Sequence, residues 1–340
     1  MVFSGSTRNF QKWLLPKAAG LYCEPGGFYI DPNSAVDRAI VTHAHSDHAH
    51  PGNYHVLGTR ETIDIMKIRL GSFSGQTMQV VKLGELLKVG NVNITLMPAG
   101  HILGSAQVVI DYDGQRAVIS GDYKRHSDPT CLPFEPIPCD LFITEATFGL
   151  PVFKHPMADQ EIGKLISSIA TFPERTHQVG VYGLGKCQRV IMHLRQAGYE
   201  RPIWLHGALR TVSDYYLSRG IPLGEIPPVA DSVSQLAGEI VLCPPSAIGD
   251  RWSRRFAEPV AAMASGWMQV RGRARQRNIE LPLIISDHVD WPGLLETISE
   301  TGAREIWVTH GREEALVYAV EKNGTKARAL SLVGRDDDQE

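Results

Sequence analysis

The stretch "THAHSDHAH" puts His43, His45, Asp47, His48 and His50 within eight positions of a chain that has 13 histidines in 340 residues. Neutral imidazoles and carboxylates at such close spacing are the donors that borderline first-row cations take. His43 and His45 alternate, so on extended backbone their rings share one side. Asp47 and His48 follow on the next turn and point elsewhere, toward a second ion. Two ions ~3.5–4 Å apart can clamp a phosphoryl group and supply hydroxide at neutral pH. HxHxDH together with the distant His101, Asp122 and His310 is far more specific than HxH alone. His50 and His55 fall outside the pattern and read as surface histidines.

These side chains need a scaffold, and the sequence suggests one. Short apolar runs rich in β-branched and aromatic residues end in residues able to do chemistry: "GGFYID" at Asp31, "RAIVTH" at His43, "NITLMPAGH" at His101, "RAVISGD" at Asp122, "LFITE" at Glu145, "LPLIISDH" at His288 and "REIWVTH" at His310. Such runs read as buried strands, and a buried strand has little room for a free charge. The polar residues are therefore expected just past the strands, gathered at one sheet edge. Helices are expected over 60–70 after Thr59, 160–171 after Asp159, 186–197 ending at Gly198, and 293–301 ending at Gly302. "VVIDYDGQRAVIS" reads as a hairpin with Asp113-Gly114 as its turn.

HxHxDH, the later "GHILGS" (100–105), "SGDY" (120–123) and the terminal strand histidine resemble the metallo-β-lactamase superfamily. The resemblance implies an α/β fold, the αββα sandwich, with a binuclear site at the sheet edges. By motif it assigns one metal to His43, His45 and His101 and the other to Asp47, His48 and His310. Asp122 would bridge the two beside a hydroxide, and Asp31 would orient a ligand histidine. Zinc and manganese both suit these donors. The long stretch between Asp122 and His310 holds a further α/β set ("HQVGVYG", "RPIWLHG", "GEIVLCPP"), which reads as an inserted domain. Glu145 in "TEATFG", His288 in "SDHVDW" and His310 in "VTHG" resemble the three motifs of the β-CASP nucleases, with Asp287 where their second motif carries alanine. The expected division is a hydrolase domain over 1–150, a β-CASP-like insert over 151–281 and a return to the hydrolase domain over 282–340.

Motif by motif the chain is most similar to the bacterial ligase-associated DNA exonucleases. That resemblance implies phosphodiester hydrolysis of DNA in end processing or repair, from the 5′ end, in association with an ATP-dependent DNA ligase and a helicase. His310 stands where DNA-directed relatives often carry valine and RNA-directed ones histidine, so an RNA-processing nuclease is the alternative. A small-ester hydrolase would share the metals but leave Glu145, His288 and the insert without a purpose. A scaffold that has lost catalysis does not fit a full set of ligand positions. In the nuclease reading His288 is the general acid to the leaving 3′-oxygen, with Glu145 as the carboxylate that keeps it protonated.

Nucleic-acid contacts are expected from Lys186, Arg189, Ser265, Arg271 and Arg273. "GVYGLGKC" (180–187) mimics a phosphate-binding GxxxxGK loop without the Ser or Thr that should follow, and reads as a strand-to-helix turn. Arg271, Arg273, Arg275 and Arg277 in "RGRARQR" would spread around a helix. Trp252, Trp267 and Trp291 could stack on bases or fill interfaces.

The bulk numbers agree with these readings. With 43% hydrophobic residues the chain can bury a large core. A formal charge of -3 excludes a general polycation, so nucleic acid must bind through local patches. Five cysteines without a CxxC pair point to reduced thiols in a cytoplasmic protein. No apolar run reaches the length of a membrane span or a signal-peptide core. The acidic tail "GRDDDQE" is expected to fray.

Overall fold

Alternation along the strands decides the architecture. Val108 and Ile110 face one core and Val109 another; Ala117 and Ile119 oppose Val118, Leu141 and Ile143 oppose Phe142, and Trp307 opposes Ile306 and Val308. Successive side chains of a strand point to opposite faces. A sheet of such strands is apolar on both faces and has to be covered on both. The computed structural model, which describes residues 9–229 and 236–330, contains both covers. The acidic tail lies outside the described residues.

The chain divides into two compact units. The first holds the residues up to Ser127, Cys131–Val152 and those from Val289 onward. Its larger sheet has seven strands in the order Lys326–Ala329, Glu305–Gly311, Leu141–Ala146, Gln115–Ile119, Ala106–Tyr112, Val92–Pro98 and Leu86–Val89. One face packs, through Ile94, Val108, Ile143 and Trp307, on Leu14, Leu21, Ile30, Ile40 and Leu57. Those residues belong to a six-stranded sheet running Leu14–Lys17, Gly20–Cys23, Phe28–Ile30, Arg38–Ile40, His55–Gly58 and Thr77–Val80, and to its adjoining strands. The opposite face of the larger sheet takes Leu294 and Ile298 from helix Trp291–Thr301 and Leu316 and Val320 from helix Glu313–Lys322. Helix Arg60–Leu70 covers the six-stranded sheet with buried Ile63, Ile65 and Met66. The result is the expected αββα sandwich.

Strand direction brings the chemistry to one edge of the larger sheet. Val92–Pro98 and Gln115–Ile119 both run antiparallel to Ala106–Tyr112, hence in the same direction as each other. Leu141–Ala146 and Glu305–Gly311 continue parallel to them. The last two strands are adjacent although Phe153–His288 of the second unit lie between them in sequence.

The second unit comprises Asp128–Thr130 and Phe153–His288. Its five strands are all parallel, in the order Ile203–Leu205, Ile240–Cys243, His177–Gly180, Val260–Ala264 and Leu281–Leu283. Parallel neighbours require crossover connections, and the helices Ala158–Thr171, Lys186–Gln196 and Gly207–Ser218 alternate with these strands.

Helix limits follow local chemistry. Thr59 caps Arg60–Leu70 by accepting from Thr62 N at 3.2 Å, and Gly71 ends it. The expected 293–301 helix begins earlier, at Trp291, because Asp290 caps it by accepting from Gly293 N at 3.1 Å and Pro292 suits the first turn. The helix expected from 160 begins at Ala158, so Asp159 lies in its first turn instead of capping it. The Asp113-Gly114 turn has positive φ at both residues, 49° and 69°, as a two-residue type I′ hairpin requires. No helix among the described residues is long and apolar enough to cross a membrane.

Candidate metal centre

The loop after Arg38–Ile40 carries His43, His45, Asp47 and His48, and the loop after Val92–Pro98 carries His101. Asp122 follows Gln115–Ile119. His43 Nε2 lies 3.1 Å from His45 Nδ1, which lies 3.0 Å from His101 Nε2. Asp122 Oδ2 is 3.4 Å from His43 Nε2 and 3.7 Å from His101 Nε2, while its Oδ1 is 3.3 Å from His48 Nε2. His43, His45, His101 and Asp122 therefore form one donor group, and His48, Asp122 and His310 a second that shares the aspartate. Asp47 reaches the second group through its Oδ2, 3.3 Å from His48 Nε2.

This arrangement suits cations. Three imidazole nitrogens aimed at one another cannot all be satisfied by the protons they carry, whereas one ion ~2.0–2.1 Å from each would satisfy them together. His48 Nε2 is buried and, among the described residues, makes no well-aligned hydrogen bond, with only the two carboxylates 3.3 Å away facing it. Burial, reinforced by the neighbouring His48, holds His43 well below the usual imidazole range, so it stays neutral as a ligand must. Burial alone would lower His48 too, but the carboxylates of Asp122, Asp47 and Asp31 outweigh it and hold it well above the usual range. Burial would raise Asp47, and the charge of His48 overrides it, leaving that carboxyl well below the ordinary range. The surplus of carboxylate around His48 calls for positive charge.

Asp31 supports the second group. Its carboxylate accepts from Thr42 N at 2.8 Å, from Thr42 Oγ1 at 2.7 Å and from His48 Nδ1 at 2.8 Å. With Nδ1–H committed to Asp31, Nε2 is the His48 nitrogen that faces Asp122 and Asp47. Asp31 has φ 44°, a left-handed conformation that aspartate tolerates better than most residues.

His310 and Glu145 depart from the expectation that each site residue lies just past a strand; both lie within their strands. Alternation would send residue 310 to the helix face with Ile306 and Val308. A register shift opposite Glu145 and Ala146 breaks that alternation, with His310 at φ 59° as the extra residue. Its ring turns instead toward His48, 5.2 Å between centroids. Gly311 makes the bulge workable, since a Cβ there would stand 2.0 Å from the Ala146 carbonyl oxygen. Glu145 is buried, and its Oε1 accepts from Tyr123 N at 2.9 Å.

His288 closes the second unit, where its backbone N–H donates to Ser286 Oγ at 3.0 Å. Of the residues expected at nucleic acid, Lys186, Arg189 and Ser265 are buried. Lys186 and Arg189 turn inward because Asp287 and Asp128 offer them carboxylates, and Ser265 caps the turn at Trp267. Arg271 is exposed, whereas Arg273 lies over the Trp267 ring, 4.0 Å from its centroid. Burial pushes the thiols of Cys23, Cys139, Cys187 and Cys243 up to about 12, which keeps them protonated.

Sequence reasoning passed over several supports of the centre. Arg69 donates to the Ala44 carbonyl between the first two histidines. Thr59 and Thr62 donate to the Gly104 carbonyl at 2.6 and 2.9 Å, tying down the loop of His101, and Ser105 Oγ accepts from His101 N at 3.1 Å. Ser105 carried a signal as the last residue of "GHILGS", and Thr59 only as a helix cap.

No protein-family model matches the chain. It is 28% identical over 331 residues, 94% of its length, to a protein of Opitutus terrae described as a probable DNA ligase, and spans 31% of that protein. It is 26% identical over 214 residues to an RNase J-like protein of Methanocaldococcus jannaschii, covering 55% of this chain and 51% of that one. It is 25% identical over 254 residues to the cleavage and polyadenylation specificity factor subunit 3-I of Arabidopsis thaliana, covering 64% and 35%. The chain thus spans about a third to a half of the length of these relatives. A crystal structure of a protein of unknown function from Enterococcus faecalis V583 shares the fold, with a TM-score of 0.60 at 13% identity over 89% of this chain and 83% of that one. Relatives of this kind, matched across a sandwich with histidine-rich loops at one edge, make the β-CASP nucleases of the metallo-β-lactamase superfamily what this chain resembles.

Proposed function

We propose that the protein is a metal-dependent nuclease that hydrolyses phosphodiester bonds of DNA, acting as an exonuclease from the 5′ end in repair or end processing. The observation that carries this reading is the pair of donor groups sharing Asp122. Two divalent cations, zinc or manganese, would supply activated water and positive charge against the phosphodiester. His43, His45, His101 and Asp122 would hold one, and Asp47, His48, His310 and Asp122 the other. Asp31 orients His48, and His43 is kept neutral by burial. His288 is the general acid that protonates the leaving 3′-oxygen, leaving a 5′-phosphate on the product. Glu145 is the carboxylate of that step, and Arg271 and Arg273 are the candidate phosphate contacts. In this reading the second unit is the inserted β-CASP-like domain.

The preference for DNA is supported by the relative described as a probable DNA ligase, which matches nearly the whole chain. It also supports a ligase as working partner; a helicase beside it and a cytoplasmic setting belong to the same proposal. RNA is the second reading, favoured by His310 and by the RNase J-like relative.

The test uses purified protein with matched DNA and RNA oligonucleotides, single- and double-stranded, labelled at either end, with zinc or manganese and an Asp122→Ala control. Mononucleotide release from the 5′ end of DNA, absent in the control, is expected. Cleavage of RNA alone would transfer the assignment to the second reading. Cleavage of neither by metal-loaded wild type would overturn the nuclease reading.

A further inference from the structure

Lys186 and Arg189, presented by the GxxxxGK-like turn, are 1% and 0% exposed. Both project from the first turn of helix Lys186–Gln196 onto one short segment. Lys186 Nζ donates to the Ile285 carbonyl at 2.9 Å and pairs with Asp287. Arg189 Nη1 donates to the Ser286 carbonyl at 3.1 Å and stands 3.8 Å from Asp287 Oδ1, while its Nε pairs with Asp128. Asp128 Oδ1 in turn accepts from Thr130 N at 2.7 Å and from the Thr130 hydroxyl. Ser286 Oγ then accepts the N–H of His288 at 3.0 Å. The three residues before His288 are each held by a buried cation, and His288 is held by the middle one of them, Ser286. All of these groups lie in the second unit.

Two cations and two carboxylates balance, yet every one of them has given up its hydration. Buried pairs of this sort seldom improve on well-packed apolar side chains for stability alone. What they add is direction, since charge-assisted hydrogen bonds to consecutive carbonyls leave a segment one backbone conformation. The residue that segment delivers is His288.

We propose that Lys186, Asp287, Arg189 and Asp128 are positioning residues that fix the backbone of residues 285–287 and so present the His288 imidazole in one orientation for proton delivery. The proposal rests on the reading of His288 as general acid. It accounts for aspartate at 287, where related nucleases carry alanine, and for a GxxxxGK turn with no Ser or Thr after it. The lysine answers a carboxylate of its own chain instead of a nucleotide phosphate.

The test compares metal-loaded wild type, His288→Ala, the paired variant Lys186→Met with Asp287→Asn, and the three changes together. The paired variant removes both charges of one ion pair while keeping side-chain shape, which avoids leaving one charge buried alone. Each form is assayed on an oligonucleotide, whose sugar alkoxide must be protonated as it leaves, and on thymidine 5′-p-nitrophenyl phosphate, whose nitrophenolate leaves without a proton. His288→Ala is expected to lose about 100-fold or more in kcat on the oligonucleotide and little on the nitrophenyl ester. The paired variant is expected to lose about tenfold or more on the oligonucleotide only, with KM and bound metal unchanged, and to add nothing to His288→Ala. Equal losses on both esters, full oligonucleotide activity, or losses that multiply in the triple variant would overturn the proposal. A His288→Ala protein that loses nothing, or loses equally on both esters, would instead remove the general-acid reading. If the paired variant does not fold, Arg189→Lys, which keeps the charge and loses the fork onto Ser286, carries the same comparison and the same outcomes.

Discussion

Asp31 shows how much one carboxylate off the metal positions can decide. It accepts from the amide and hydroxyl of Thr42 and from His48 Nδ1, so it sets both the place and the tautomer of a candidate ligand. Asp31→Asn keeps the size and removes the charge. The expected result is a fall of about 10–100-fold in zinc affinity with the fold intact, read by competition against a chromophoric chelator and by circular dichroism. Asp128 makes a prediction about acid. Burial works to raise its carboxyl, but Arg189 and the bonds from Thr130 prevail and hold it below its ordinary value of 3.8. Above that value the group is ionised both folded and unfolded, and its stabilisation is complete. As the pH falls the unfolded chain takes up the proton first, and the stabilisation drains away until the folded carboxyl is protonated too. Asp128→Asn should therefore be less stable at neutral pH, by about 3–5 kcal/mol for a broken buried pair. It should also lose less than wild type between about pH 6 and about pH 3, which urea unfolding at a series of pH values would show. The family resemblance already implied that Asp31 orients a ligand histidine; the role of Asp128 was not legible beforehand. The position of Asp31 after a strand was plain, its three donors belong to Thr42 and His48 in the loop after the next strand, and Asp128 had no signal at all.

At the scale of elements, helix Arg60–Leu70 is a splint between two ligand loops. Its first turn grips the Gly104 carbonyl through Thr59 and Thr62, and Arg69 in its last turn grips the Ala44 carbonyl. The limits of this helix were readable from Thr59 and Gly71, because capping is local. What the helix holds was not, because both grips reach residues remote in sequence. Gly104 tests the splint. It sits at φ 85°, and a Cβ there would lie 2.6 Å from Glu61 Cβ and 2.8 Å from Thr62 N. Gly114 at the hairpin tip has φ 69° and nothing within 4 Å. Gly114→Ala should cost about 1 kcal/mol, the penalty of the backbone conformation alone. Gly104→Ala should cost more and also weaken zinc binding, as thermal melts with and without zinc would reveal. The strand that carries His310 teaches a related point. Its apolar alternation was evident in "REIWVTH", yet strict alternation points the histidine away from the centre, and a bulge against a distant strand reverses that.

At the scale of the whole molecule, a net charge of -3 means that any hold on nucleic acid is local. Arg271 is exposed while Arg273 is engaged with Trp267. Arg271→Gln is thus expected to reduce the salt dependence of DNA binding by about one counterion, and Arg273→Gln by less, in titrations across a range of salt concentrations. Equal and undiminished slopes would discard both arginines as phosphate contacts. The sequence by itself determined the α/β class, the apolar faces of the strands, the caps of helix Arg60–Leu70, the hairpin turn and the histidine-rich loop, since periodicity, capping and turn chemistry act over a few residues. Only the tertiary structure decided that His43, His45, His101, Asp122, His48 and His310 draw together, that Lys186 and Arg189 face inward, and that a bulge aims His310. Those outcomes depend on which strands pair and which carboxylates are buried beside which cations, and such partners are chosen across the fold by packing and charge balance.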